Sequence, residues 1–250
     1  MRIGVFDSGI GGLTVLNEAM KMMPNEEYIY FADTYNVPYG TKTKDEVKKS
    51  IFEITDFLCS KGIDALLIAC NTATSIGVDE VRQKYSFPII GMEPAVKYAL
   101  NYNKNKKVLV LATSLTLKQD RYTKLVNNID SKRIVESLAL PGLVEFAENY
   151  IFDRNVILDY LNNEFYHYNL EEFGVIVLGC THFIYYKDYI EELIPEHVCV
   201  VDGNYGTVNH MISILKDKLS SNHGGQIEFY QSDKDGIRVA QFKKYMQLLK

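Results

Sequence analysis

Short runs of apolar, largely β-branched residues recur along the chain. Between them lie longer stretches in which apolar positions return every three or four residues. Residues 3–7 (IGVFD), 28–33 (YIYFAD), 65–70 (ALLIAC) and 88–92 (PIIGM) follow the first pattern. So do 107–113 (KVLVLAT), 133–140 (RIVESLAL), 174–180 (GVIVLGC) and 198–202 (VCVVD). Each predicts a strand. KDEVKKSIFEITDFLCSKG and SIGVDEVRQKY follow the second pattern and predict helices. Strands that are apolar at nearly every position have both faces covered, which means parallel strands between helix layers and an α/β fold. Eight such strands in 250 residues predict two compact α/β units rather than a closed barrel. From about Gly206 the chain carries a helix (TVNHMISILKDKL), a polar loop (SSNHGG), a short strand (QIEFYQS) and a final helix. Periodicity alone leaves open whether this tail returns to the first unit.

The two units share a faint internal repeat. VFDSGIGG is followed by GIDALLIACNTATS in the first half, and VLATSLTLKQ by FGVIVLGCTHF in the second. Asp7-Ser8 and Thr113-Ser114 are 106 positions apart; Cys70 and Cys180 are 110 apart. A duplicated unit packed face to face would bring equivalent strand ends to one cleft, and ligands of open α/β sheets bind at the carboxyl ends of strands.

Composition narrows the function. Hydrophobic residues make up 47% and charged residues 24%, which excludes a disordered chain. The net charge is −5 with no basic block, so no nucleic-acid partner is expected. No apolar run reaches the roughly 20 residues of a membrane span. The opening MRIGVFDSG has no signal-peptide pattern, so a cytoplasmic location is expected.

Of the four cysteines, Cys59, Cys70, Cys180 and Cys199, no two form a C-x-x-C pair. Neither a zinc ribbon nor a thioredoxin-type site is expected, and a reducing cytosol argues against disulfides. Cys59 and Cys199 read as packing residues. Cys70 ends a strand and is followed by Asn71, Thr72, Ala73, Thr74 and Ser75, a helix-start composition. A thiol there is expected to have its pKa lowered by the helix's free N–H groups, which could also bind a carboxylate. Cys180 repeats the arrangement, and His182 two residues on is a proton partner for it. Taken alone, each cysteine reads as structural; paired at equivalent strand ends, they read as catalytic.

Asp7-Ser8-Gly9-Ile10-Gly11-Gly12 is a glycine-rich turn, but neither a dinucleotide fingerprint nor a P-loop. Asp7 at its head is a poor packing choice and a good ligand for an ammonium group. Tyr35 to Gly40 form a loop punctuated by Pro38 and Gly40. Among the five histidines, His167, His182, His197, His210 and His223, no metal-ligand spacing occurs, and no G-x-S-x-G elbow is present.

The motifs V-F-D-S-G-I-G-G-L-T-V, F-A-D-T-Y-N-V-P-Y-G, A-C-N-T-A-T-S and L-G-C-T-H-F, in this order, resemble those of bacterial glutamate racemases. The resemblance runs from Ile3 to about Gly203 and weakens over the tail. It implies two α/β domains related by pseudo-twofold symmetry with the substrate between them. We divide the chain as 1–95 plus 206–250 for the first domain and 96–205 for the second. The resemblance also implies a cofactor-independent isomerase that interconverts L- and D-glutamate, supplies D-glutamate for peptidoglycan, and commonly forms a homodimer.

Carried over by position, Cys70 and Cys180 match the two catalytic cysteines, with Asp7 and His182 as helpers of the thiols. Asp7, Ser8, Tyr39, Gly40, Asn71, Thr72, Thr181 and His182 match substrate-binding positions. Glu148, favoured over Glu145 by its distance from Pro141, matches the carboxylate that supports the histidine. Cys70 is expected to deprotonate D-glutamate and Cys180 L-glutamate. The missing N-terminal extension of some relatives argues against activation by a cell-wall precursor. Two roles stay open for Asp7: binding the substrate ammonium or relaying a proton. The competing readings are an aspartate or hydantoin racemase of the same superfamily, and a two-lobed, non-catalytic amino-acid-binding protein.

Overall fold

A computed structural model describes residues 1–92, 95–102, 106–220, 225–233 and 237–249. His223 and most of the SSNHGG loop lie outside the described residues. The first half runs β1 (Arg2–Asp7), α1 (Leu13–Met22), β2 (Glu27–Ala32), α2 (Lys44–Ser60), β3 (Ala65–Ile68), α3 (Asn71–Lys84), β4 (Ile89–Gly91) and α4 (Val96–Tyr102). The second runs β5 (Lys107–Ala112), α5 (Ser114–Leu117), α6 (Asp120–Ile129), β6 (Val135–Ala139), α7 (Pro141–Glu148), α8 (Arg154–Phe165), β7 (Phe173–Leu178), α9 (Lys187–Leu193) and β8 (Cys199–Asp202). The tail adds α10 (Asn204–Leu215), β9 (Ile227–Gln231) and α11 (Ile237–Gln247). Among the described residues no helix is long and apolar enough to cross a membrane.

The strands form two sheets, ordered β4-β3-β1-β2-β9 and β6-β5-β7-β8, with every neighbouring pair parallel. Read from the other edge, the second sheet is β8-β7-β5-β6. Each of its strands then stands where the strand four earlier in sequence stands in the first sheet. The repeat seen in the motifs is thus a repeat of topology. It makes the ends of β1 and β5 equivalent, and likewise those of β3 and β7. The tail returns to the first lobe: β9 pairs with β2 from Tyr28↔Ile227 to Ala32↔Gln231.

Alternation along the strands explains the layering. Ile3 and Val5 on β1, Leu67 on β3, and Leu109 and Leu111 on β5 enter one buried cluster that spans both lobes. Phe6, Leu66 and Ile68 point the other way, into a cluster under α2 and α3. Val108 and Val110 do the same beside α4. Each fully buried aliphatic side chain contributes about 1.5–3 kcal/mol, so the shared core holds the lobes together at the foot of the cleft.

Candidate active site

The strand ends of the two lobes meet where the topology places them. From the first lobe, Ser8, Tyr39, Gly40, Cys70, Asn71 and Thr72 line a narrow pocket; from the second, Cys180, Thr181 and His182 complete it. Asp7 and Glu148 stand behind this lining. Pro38, Thr113 and Val144 also reach the pocket. Sequence reading had not placed them there, although the alignment of Thr113 with Asp7 in the repeat was the signal that could have done so. The free space between these walls leaves about 10 Å³ for the centre of a water, roughly one water's worth. That space is smaller than an amino acid. A roomier apolar cavity of about 270 Å³ lies behind Asn71 and Thr116, lined by groups such as Val96, Val110 and Leu125, with no thiol in its walls. Both strand-end thiols belong to the narrow pocket.

Cys70 is the N-cap of α3. Its sulfur accepts the Ala73 N–H at 3.4 Å, and its thiol donates to Ser8 Oγ at 3.8 Å. Burial pushes the Cys70 thiol well up, and the Asp7 carboxylate raises it further against the helix N–H and Ser8. The sequence-based expectation of a lowered pKa is corrected here. A helix terminus gives about 0.3–1 kcal/mol and up to ~2 in buried geometries, whereas full burial moves a titratable group by up to about 3–5 units. Cys70 rests as a thiol.

Cys180 lies two residues beyond β7 and differs from Cys70. The helix start expected after it is a 3-10 turn, Thr181–Tyr186, with α9 following, and the sulfur caps no backbone N–H. Its partner is a side chain: His182 Nδ1 stands 3.7 Å from Cys180 Sγ. His182 Nε2 lies 2.8 Å from Glu148 Oε1, which also accepts the Ile10 N–H of the first lobe at 2.8 Å. Burial alone would pull the His182 pKa down. The hydrogen bonds and charges of Cys180 and Glu148 outweigh it, and the pKa stands well above the ordinary value. The ring is placed to exchange a proton with Cys180 Sγ. Glu145, the other carboxylate weighed from sequence, lies on the exposed face of α7.

Asp7 is fully buried. Its Oδ2 accepts the N–H groups of Gly9 (3.2 Å) and Gly12 (2.9 Å), while its Oδ1 has no hydrogen-bond partner. Burial raises its pKa, against the lowering pull of His182 and the two N–H groups. The apparent conflict of an anion beside a thiolate eases when Asp7 holds a proton. The glycines of this turn serve close approach: a Cβ at Gly9 would lie 1.8 Å from Glu148 Oε1, and one at Gly11 2.4 Å from His182 Nδ1.

Three hydroxyls meet where the lobes touch beside the pocket. Thr72 of α3 lies 3.0 Å from both Thr113 and Thr116, which lie 2.9 Å from each other. Tyr39 is fixed by its hydroxyl donating to Asp33 Oδ2 at 2.6 Å, and Asn36 Nδ2 donates to both Asp33 oxygens at 3.0 Å. Among the described residues no cluster of three or more His, Cys, Asp or Glu could hold a metal ion.

Known proteins share this architecture. Residues 13–211 match the Asp/Glu/Hydantoin racemase family. A glutamate racemase of Halothermothrix orenii is 52% identical over 253 residues, covering 100% of this chain and 99% of that protein. The crystal structure of glutamate racemase from Campylobacter jejuni superposes with a TM-score of 0.85 at 31% identity, covering all of both chains. That of Escherichia coli, in complex with L-glutamate and the activator UDP-MurNAc-ala, has a TM-score of 0.87 at 25% identity. It covers 98% of this chain and 94% of that one.

Proposed function

The chain belongs to the Asp/Glu/Hydantoin racemase family and is an amino-acid racemase, and we propose that it interconverts L- and D-glutamate with Cys70 and Cys180 as its two bases. The supporting observation is that two thiols at equivalent ends of β3 and β7 line one pocket from opposite lobes, each with its own partner group. The reading takes the lobes as 1–95 with 206–250 and 96–205. It places the enzyme in the cytoplasm, as a homodimer, supplying D-glutamate for peptidoglycan.

Racemisation removes the α-proton from one face and returns a proton to the other. A single base would have to cross the substrate plane, whereas two bases on opposite walls need no such motion. One must be thiolate while the other is thiol, and the roles exchange with the enantiomer. Burial and Asp7 keep Cys70 a thiol, while His182, its pKa raised by Cys180 and Glu148, stands 3.7 Å from Cys180 Sγ as the partner that takes its proton. With that proton handed over, Cys180 takes the α-proton of L-glutamate and Cys70 protonates the opposite face to give D-glutamate. The reverse direction starts with the proton on Cys180. Asp7, raised in pKa and with a free Oδ1, can hold the proton that leaves Cys70.

The carbanion is the hard step, and only interactions that strengthen as charge develops speed it. The N–H groups at the start of α3, with Asn71, Thr72 and Thr181, grip the α-carboxylate as it gains enediolate character. The pocket's small volume means that closure excludes water and strengthens these contacts.

The test is to incubate the purified protein with L-glutamate in heavy water without added cofactor. Deuterium should enter the α-carbon of D-glutamate before it appears in recovered L-glutamate. Cys70→Ser and Cys180→Ser should each abolish interconversion. Near wild-type turnover in either variant would overturn the two-base assignment.

A further inference from the structure

The protein has 18 tyrosines, and four of them converge on the segment behind His182. The hydroxyl of Tyr245, on α11, donates to the Ala147 carbonyl at 2.8 Å. Tyr186 donates to Ile151 O at 3.0 Å, Tyr189 to Phe152 O at 3.1 Å, and Tyr185 to Ile10 O at 3.2 Å. The rings pack together: Tyr245 lies edge-on to Tyr150 at 5.2 Å and tilted against Tyr185 at 5.8 Å.

This cluster meets a specific need. The last carbonyls of a helix have no intrahelical partner. Ala147 O is one of them, immediately before Glu148, the last residue of α7. The chain then turns sharply, with Tyr150 at φ 58°, a left-handed conformation unfavourable for a bulky side chain unless its surroundings hold it. The Tyr150 N–H and the Tyr245 hydroxyl both bond Ala147 O. Tyr245 is 1% exposed and 98 residues from its acceptor. Its helix also places Phe242 against Tyr30 at 5.7 Å, and the Tyr30 hydroxyl donates to Gly9 O at 2.6 Å. The C-terminal helix therefore backs both sides of the contact between the Gly9–Ile10 turn and Glu148.

We propose that Tyr245 is a positioning residue for the Cys180 side of the site: its hydroxyl anchors Ala147 and so holds Glu148 against His182. This rests on the two-base reading above and assigns the tail of the chain a part in it. Cys180 and Tyr185 face His182 from its own segment, Glu148 from α7, and Asp7 and Tyr30 from the first lobe, with Tyr186 and Tyr245 behind Glu148 and Cys70 across the pocket. Loosening Glu148 releases the His182 ring from its 2.8 Å anchor and so from its place beside Cys180 Sγ, leaving Cys180 without its proton partner. Cys70 is set first by burial, then by Asp7, Ala73 and Ser8; Cys180 acts on it last and raises it, so a weaker charge at Cys180 moves Cys70 little and in the opposite direction.

The experiment is alkylation by iodoacetamide across a pH series, with Cys70 and Cys180 read separately by peptide mass spectrometry. Tyr245→Phe keeps the ring and removes only the hydroxyl. Alkylation of Cys180 should move to higher pH, while that of Cys70 moves little. Glutamate kcat should fall roughly three- to tenfold with KM little changed, the range of one net hydrogen bond. In a Glu148→Gln background, Tyr245→Phe should add nothing at Cys180. Tyr28→Phe loses a buried tyrosine–carbonyl bond of the same kind, to Met23 O at 2.8 Å, far from the site, and should leave both cysteines unchanged. An unchanged Cys180 profile in Tyr245→Phe, or an equal shift at both cysteines, overturns the proposal. A wild type that does not racemise glutamate would instead overturn the function assigned above, since the alkylation profiles are read without substrate.

Discussion

The hydroxyl of Thr72, at the start of α3, lies 3.0 Å from that of Thr113, at the end of β5. The pair spans the two lobes, and Thr116 closes it into a ring. In the closed cleft these groups satisfy one another. Parting of the lobes would separate Thr72 from Thr113 and leave the Thr113 hydroxyl free to donate to a substrate.

Thr113→Val should therefore raise KM for glutamate about tenfold while kcat stays within about threefold, as expected for a contact made equally in ground and transition states. Thr113→Ser should restore KM. Steady-state polarimetry reads both constants, and an unchanged KM in Thr113→Val would remove the ring from substrate binding.

The glycine turn makes a second prediction. A Cβ on Gly11 would lie 2.4 Å from both His182 Nδ1 and Thr181 Oγ1. His182 has nowhere to go, being held between Cys180 and Glu148. Gly11→Ala should lower kcat roughly a hundredfold, the loss expected for a displacement of about 1 Å at a reacting group. Gly206→Ala is the contrast. Gly206 lies in α10 with nothing within 4 Å of an added Cβ, so the change should stabilise by about 0.5–1 kcal/mol and leave turnover alone. Thermal unfolding and turnover of the two variants separate steric loss in the site from general loss of fold.

Much of this was written in the chain. Unbroken apolar strands such as 173–178 have both faces covered, and that pattern reads directly as a parallel sheet. In the sequence only the distance from Pro141 favours Glu148 over Glu145; the helical face is visible once the fold is known. Leu143, Val144 and Ala147 are buried, and Glu148 shares their face of α7, four residues after Val144. What the sequence withheld depends on long-range packing. The pairing of β9 with β2 is decided by an edge that local periodicity does not describe. Thr113 and Thr116 resemble ordinary cap residues, and their hydroxyls acquire a role only when α3 of the other lobe lies against them. The direction of the Cys70 shift was misread for the same reason. A helix start is visible in sequence, but the burial that outweighs it is set by the opposing lobe.

Asp7 carries the last prediction, because burial acts on it twice. Its own pKa is raised above 3.8, so the fold binds a proton there more tightly than the unfolded chain does. Stability contributed by that proton is fully present below 3.8 and is lost as pH rises through the folded value. Asn at this position does not titrate and still offers an oxygen to the N–H groups of Gly9 and Gly12. Asp7→Asn should accordingly unfold at a higher temperature than wild type near neutral pH, by roughly 2–4 °C for each kcal/mol gained. The advantage should vanish in acid. Asp7 also raises Cys70, second only to burial, so alkylation of Cys70 in the variant should move to lower pH even as racemisation collapses for want of a proton carrier. Calorimetry across a pH series and cysteine-resolved alkylation measure the two effects. A variant less stable than wild type at neutral pH would mean that the Asp7 charge supports the fold, and a Cys70 profile that stayed in place would mean that the two groups do not share a field.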